Sequence, residues 1–500
     1  MKNKLIIILI FLMAIMTITT VSANDNITSE ISDTPLNQDE NLTVSEDETL
    51  KDTQTTQLQA ENVKGYETTE TIISAKLTSN NQPLTSKTIQ IIINGETYSK
   101  NTNDDGVASI GVILPIGTYT AEFKYSGDDL TSPCDTTSQI TIMETQKTSL
   151  KVGDKDINYR QGSKCLFYVK LKNSEGKEIK NQWVTIEINN KIYNVQTNEN
   201  GNAKIYLKLK KGKYKIKYKF NGTGQYKASS GTYTIKVKPK MAKGNGYWVW
   251  SSHMKTVNLK KLASKGTRHI LLHVHAIAQY GKSSVVSFIK RAHHNHMKVH
   301  LWMQVCYSGG KWVSLVKDNG KFKYSFMKKK IAEAKRYAKI KGVDGVHFDY
   351  MRYGGTAHKH INAKESINYF VKKATKTIRK VKSNCMVSVA VMPEPSAMLY
   401  YYGQDIPTLS KYVDSIIPMV YKGNYHQPRS WITSVTKKFV SQSNGAQIWT
   451  GLQSYHSDSN PSKLTQKTLR KDAKAAVKGG SIGVMLFRFG ISCNFNFKKI

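Results

Sequence analysis

The segment Gly342-Val-Asp-Gly-Val-His-Phe-Asp-Tyr-Met-Arg-Tyr-Gly354 decides how the chain folds. Its apolar run, 343–351, carries a carboxylate, Asp349, near its end and lies between Lys-rich stretches of helical periodicity at 325–341 and 363–381. A short, nearly all-apolar strand between helices is one βα unit of a parallel sheet that is covered on both faces. The texture continues in both directions. Apolar runs at 247–250, 270–276, 299–305, 343–351, 386–392, 415–421, 447–455 and 482–489 alternate with helical stretches such as 255–265, 283–297 and 464–478. Eight units in about 260 residues predict an α/β (β/α)8 TIM barrel over 240–500.

Upstream the pattern changes to alternation. Residues 88–127 contain TIQIIINGETY, TNDDG and GTYTAEFKYSG, and 183–222 contain WVTIEINNKIY, TNENG and GKYKIKYKFNG. Asn94 matches Asn189, Gly106 matches Gly201 and Tyr119 matches Tyr214, each pair 95 positions apart. Period-two strands joined by Asn-Asp-Gly turns predict two all-β Ig-like sandwiches, 63–145 and 146–239. They resemble the Ig-like repeats of bacterial surface adhesins, a likeness that implies stalk modules. Residues 24–62 hold ten acidic residues against Lys51 alone and have no aromatic, so a disordered acidic spacer is expected there. Residues 1–23 have Lys2 and Lys4, an apolar run and Val21-Ser22-Ala23, which reads as a signal peptide or, uncleaved, as an anchor. Beyond it no stretch is apolar enough to span a membrane, so a secreted or cell-surface protein is expected. Five scattered cysteines predict no disulfide framework.

The net charge of +38 suits an anionic wall polymer or a membrane surface as partner, or equally a solvated lysine surface. Arg is scarce beside Lys and no nucleic-acid motif is present, so nucleic acid is not expected as a partner.

Chemistry in such a barrel sits at the C-terminal strand ends. From 240 to 500 there are few carboxylates. Asp318, Glu333, Glu365 and Asp472 fall on helices or helix-side loops, and Asp344 and Asp414 begin their strands. Asp349, Glu394, Asp405 and Asp458 remain for the catalytic rim. Glycoside hydrolysis usually needs two carboxyl groups flanking the scissile bond. Asp349 is the expected nucleophile or base and Glu394, within Met392-Pro393-Glu394-Pro395, the expected general acid, with Asp405 its rival. Alternation turns Gly345, His347 and Asp349 inward together. Trp250, His275, Trp302, Gln304, His347, Tyr421 and Gln453 stand near strand ends as substrate contacts, flat rings and amides suiting sugar faces and hydroxyls. His273 and His275, read as one strand face, open a second possibility, a metal pair, but strand one supplies no histidine pair and strand eight ends without Asp. No metal or cofactor is expected.

These residues resemble a family. Residues 342–354 are similar to the GVDGIQFDYVRFP segment of glycoside-hydrolase-like TIM barrels. Tyr402-Gly403-Gln404-Asp405 and Tyr412-VDSIIPMVY-Lys422 resemble the GQD and YVDYISPMVYPSHY segments of the same family. The likeness covers the barrel and implies a polysaccharide-active enzyme, with Asp349 the leading carboxylate and Arg352, Asp405 and Tyr421 lining the site. The chain departs from the pattern at Gly354-Gly355, where the family has Phe-Pro, and at Lys422-Gly-Asn424-Tyr425. The expected function is hydrolysis of a cell-wall or extracellular polysaccharide. A non-catalytic glycan-binding adhesin and a metal-dependent hydrolase or deacetylase are the alternatives.

Overall fold

The computed structural model describes residues 53–500, so the expected signal peptide and most of the acidic spacer lie outside the described residues. All-β sandwiches at the N-terminal end are followed by a closed barrel of eight parallel strands. Each sandwich repeats the same frame. The strands Thr88–Ile93, Glu96–Asn101, Val107–Val112 and Gly117–Tyr125 recur as Trp183–Ile188, Lys191–Gln196, Asn202–Leu207 and Gly212–Phe220, without insertion. The strict alternation of the sequence is realised as burial: Ile89, Ile91 and Ile93 face one core and Val184, Ile186 and Ile188 the other.

The first sandwich begins earlier than composition suggests. Thr56–Ala60 is a strand paired antiparallel with Thr71–Ser79, so residues assigned to the spacer belong to the sheet. Its sequence, Thr-Gln-Leu-Gln-Ala, alternates, and Leu58 is buried. The polar composition of the surrounding segment hides that period.

The barrel strands run in chain order: Gly246–Val249, His269–His273, Lys298–Gln304, Gly345–Asp349, Met386–Val391, Ser415–Val420, Gln447–Gln453 and Gly483–Phe487. The helix Ala363–Val381 illustrates why the outer layer forms. Ile367, Phe370, Val371, Ala374 and Ile378 recur at helical spacing and are buried, while the lysines between them face outward. Among the described residues no helix is long and apolar enough to cross a membrane.

The second sandwich is fastened to the bottom of the barrel through a buried carboxylate. Asp414, whose side chain has no exposed surface, accepts from Asn158 Nδ2 at 2.9 Å and from Arg160 on the sandwich side. It also accepts from Arg379 Nη2 and the Val387 amide, each at 2.9 Å, on the barrel side. Nearby, Asp154 takes the Tyr412 hydroxyl at 2.6 Å and Lys372 Nζ at 3.0 Å. Burial opposes the charge on Asp414, yet Arg379, Arg160 and Lys238 hold its carboxyl well below the usual carboxylate range.

Two consequences follow for stability. Asp414→Asn leaves two guanidinium groups facing a neutral amide and is expected to cost about 3–5 kcal/mol, read from urea unfolding near neutral pH. A depressed carboxylate contributes stability above its ordinary value near pH ~4 and loses it as pH falls through the lower folded value. The difference between wild type and variant therefore narrows in strong acid.

Candidate active site

The barrel interior is filled in layers set by strand alternation. Lowest, His269 Nδ1 and His300 Nε2 share a hydrogen bond at 3.0 Å beside Trp449. Burial pushes His300 down to about 4 and His269 well below its ordinary value, so both are neutral. A Cβ at Gly345 would lie 2.3 Å from His300 Nδ1, so only glycine fits opposite that ring. One layer higher, Trp248 Nε1 donates to His347 Nε2 at 3.1 Å, which places the His347 proton on Nδ1, toward Ser388 Oγ at 2.9 Å. His347 points inward as expected, but it is fully buried in this layer and lies beneath the cavity, so it packs the barrel rather than touching substrate.

Above that layer a cavity of about 320 Å³ opens at the C-terminal ends of the strands. Trp248, Trp302 and Phe487 form its floor, and Trp250, Tyr421, Tyr425 and Arg352 its walls. Asp349 and Asp458 are the carboxylates among its lining residues. Trp250 lies 4.7 Å from Trp302, and Tyr421 stacks on Phe487 at 5.5 Å.

Asp349 is 8% exposed. Its Oδ2 accepts the Trp302 indole N–H at 2.9 Å and its Oδ1 accepts the Tyr350 amide at 2.7 Å. Burial pushes its carboxyl up, while the Tyr350 amide, the indole and the Arg352 charge resist. Burial also drives the Tyr421 phenol far up, and Asp349 adds to that shift. Tyr350 adopts a left-handed backbone conformation, φ 51°, which throws its ring outward against Tyr307 at 4.9 Å. Such a conformation costs about 1–3 kcal/mol for a non-glycine residue and clusters at functional sites.

The other expected residues divide. Glu394 follows the lining residues Met392 and Pro393 and is not itself among the lining. It stands by the hydroxyls of Tyr402 and of the wall residue Tyr425, and burial first and Glu394 second push both phenols up. Glu394 Oε2 is buried without a hydrogen-bond partner. Asp405 is not in the cavity. It caps the helix Ile406–Leu409, accepting from the Thr408 amide, and takes Asn368 Nδ2 at 3.3 Å. Gln304 stands in register with Asp349 at the end of its strand but outside the cavity lining. Gln453 is buried and braces the rim, donating to Asn424 Oδ1 at 2.8 Å.

His273 and His275 do not share a strand face. The strand ends at His273 and a helix, His275–His294, begins at the second histidine. His275 Nδ1 faces Ser251 Oγ at 3.3 Å, and no group of three metal-ligand side chains converges among the described residues. The residues do not fit the metal pair that their spacing suggested.

Gln404 and Asn424 escaped sequence reasoning, and so did the partner of the rim carboxylate Asp458. Gln404, neighbour of Asp405 in the same motif, is 1% exposed and ties strand ends together. Its Nε2 donates to the carbonyls of Met351 and Ala390, and its Oε1 accepts from the Met392 amide. Asn424 and Asp458 clasp each other across two loops, Asn424 Nδ2 to Asp458 Oδ2 at 2.7 Å and the Asp458 amide to Asn424 Oδ1 at 2.8 Å. The clasp needs Gly423, where a Cβ would meet the His456 carbonyl at 1.7 Å. Only the paired Asn and Asp types hinted at it.

Removing a donor from Asp349 raises its pKa further. Trp302→Phe is expected to move the Asp349 titration to higher pH than in wild type, read by carboxyl 13C NMR. The acid limb of any activity that needs the carboxylate moves the same way.

Solved structures with similar arrangements span different parts of the chain. The PgaB (BpsB) glycoside hydrolase domain of Bordetella bronchiseptica is 11% identical, covering 50% of this chain and 95% of that one, with a TM-score of 0.41. The fibronectin(III)-like modules of Clostridium thermocellum CbhA are 12% identical, covering 37% and 95%, with a TM-score of 0.24. The β-D-glucuronidase of Dictyoglomus thermophilum is 10% identical, covering 87% and 83%, with a TM-score of 0.33. No curated protein matches the sequence. Residues 259–478, from the first barrel helix through the last, match the family DUF4015, described as "Putative glycosyl hydrolase domain".

Proposed function

We propose that the barrel is a glycoside hydrolase acting on an extracellular or cell-wall polysaccharide, in a secreted or surface-held protein. The carrying observation is Asp349, a buried carboxyl at the end of the fourth strand that faces an aromatic-walled cavity beside a second carboxyl at the rim. A carboxyl pushed up by burial is a better base than an exposed one, and its two N–H donors fix its direction. In this reading Asp349 attacks the anomeric carbon or takes the proton of an attacking water. Glu394 gives a proton to the departing glycosidic oxygen. Its Oε2 is free of hydrogen-bond partners among the described residues, whereas both oxygens of Asp458 are taken by Tyr455 and Asn424. Asp458 then serves as a fixed acceptor for sugar hydroxyls. Trp250 and Tyr421 supply ring faces to the sugar. The match of 259–478 to a glycosyl hydrolase domain supports the reaction class.

The test is reducing-end release from a panel of polysaccharides by the protein with its second sandwich retained, because Asp414 draws partners from that sandwich. Asp349→Asn is expected to abolish release while leaving glycan binding. Glu394→Gln is expected to lose about 10²–10⁴-fold on polymer and much less on aryl glycosides whose leaving group needs no proton. Asp458→Asn showing that leaving-group pattern instead would transfer the acid role to Asp458. Equal glycan binding by wild type and Asp349→Asn, with no release from any polymer, would support the adhesin reading.

A further inference from the structure

The two sandwiches share one frame and differ in charge. Residues 63–145 carry 5 Lys and Arg against 10 Asp and Glu, whereas 146–239 carry 21 against 6. The excess includes an ordered row. On Gly212–Phe220 the inward positions Tyr214, Ile216, Tyr218 and Phe220 pack the core, and the outward positions are Lys213, Lys215, Lys217 and Lys219. In the first sandwich the corresponding outward positions, 95 residues earlier, are Thr118, Thr120, Glu122 and Lys124. Lys236 lies directly across from Lys213, where the first sandwich pairs Thr118 with Thr141. Of these five lysines Lys217 alone has a carboxylate within reach, Glu187 at 3.1 Å, among the described residues.

Nothing in the fold requires this row. The same frame closes in the first sandwich with a single lysine, Lys124, and with threonines at 118, 120 and 141, which suit exposed strand positions better than lysine. Like charges directly opposite each other weaken a sheet. A feature that works against its own sheet, confined to one copy of a repeat, calls for a cause outside that sheet. Side chains on one face of a strand stand about 6.8 Å apart, so the row presents cations at a regular interval along a line. Trp183, 62% exposed, projects from the same face of the neighbouring strand.

We infer that the Lys213–Lys236 face of the second sandwich binds a linear anionic glycan. The ligand is a carboxylate-bearing polymer held by charge along its length. Point-charge lysines suit it, since 20 of the 21 basic residues of this module are Lys. Single-stranded nucleic acid favours several stacked rings, and this face offers one exposed aromatic ring, Trp183. This hold is separate from the barrel cavity and does not depend on catalysis there.

The experiment uses the full chain and polygalacturonate as probe, with binding followed by fluorescence anisotropy of the labelled polymer across a salt series. Two variants are compared with wild type. One replaces Lys213, Lys215, Lys219 and Lys236 with Gln. The other makes the same change at four exposed lysines of the helix Gln466–Lys478, Lys467, Lys471, Lys474 and Lys478. Wild type is expected to bind with an affinity that falls as salt rises; the sandwich variant loses about tenfold or more and has a shallower salt slope, and the helix variant stays within about twofold. Thermal unfolding at or above the wild-type midpoint for both variants confirms that the fold was kept. Equal losses by the two variants, no binding by wild type, or tighter binding of poly-dT than of polygalacturonate would each overturn the inference.

Discussion

An indole N–H buried inside the barrel needs an acceptor, and the placement of the polar groups in the interior follows from that constraint. Eight strands enclose a space that side chains must fill, and here much of the filling is tryptophan and histidine. Trp449 donates to Gln447 Oε1 at 3.0 Å, Trp248 to His347 and Trp302 to Asp349. The last pair stands highest, so Asp349 is at once the acceptor that closes the stack and the carboxyl that faces the cavity. The two roles share one cause. Burial raises the carboxyl of an acid at this depth, and the indole that needs an acceptor is a donor that works against that rise.

The bottom of the barrel solves a different problem with the same chemistry. Asp414 and Asp344 each precede a strand, and each accepts from a backbone amide at a neighbouring strand, Val387 for the first and Val299 for the second. Asp344 is completed by His293 and Lys298 from the barrel itself. Asp414 draws on Asn158 and Arg160 of the second sandwich. The sandwich is therefore a structural partner of the barrel as well as a repeat module. The stalk expectation taken from its sequence did not include this contact.

Periodicity made the fold legible because it is local. The βα alternation gave all eight strands, and the inward set Gly345, His347 and Asp349 followed from a period of two. The site was legible only where a strand carried it. Two histidines one residue apart looked like a strand pair because the apolar run continued to Ala276, but the chain turns into a helix at His275. Asp405 drew attention as a charge, whereas the work at that motif falls to Gln404, whose amide ties two strand ends. Asn424 and Asp458 meet across 34 positions of sequence, and which loops converge at a rim is not written in the period of either. The strand Thr56–Ala60 was missed for the opposite reason: its period is there, but a polar composition outweighed it.

The departure from the family pattern at Gly354 has a physical account in this structure. A Cβ there would stand 2.7 Å from the Trp312 ring, so the residue must be small for Trp312 to occupy its place. The hairpin formed by Tyr307–Ser308 and Lys311–Trp312 carries that ring to the rim. There Arg352 lies over Trp312 at 4.4 Å, and Tyr307 stacks on Tyr350, which the left-handed turn after Asp349 has swung outward. The small residue at 354 thus accommodates an aromatic surface that runs from Asp349 through Tyr350 and Tyr307 to the half-exposed Trp312. Rings that continue past a cavity of this size extend the contact available to a bound molecule beyond the volume that the cavity alone encloses. The small residue that departs from the pattern in sequence is therefore the one that lets the aromatic wall continue past the cavity.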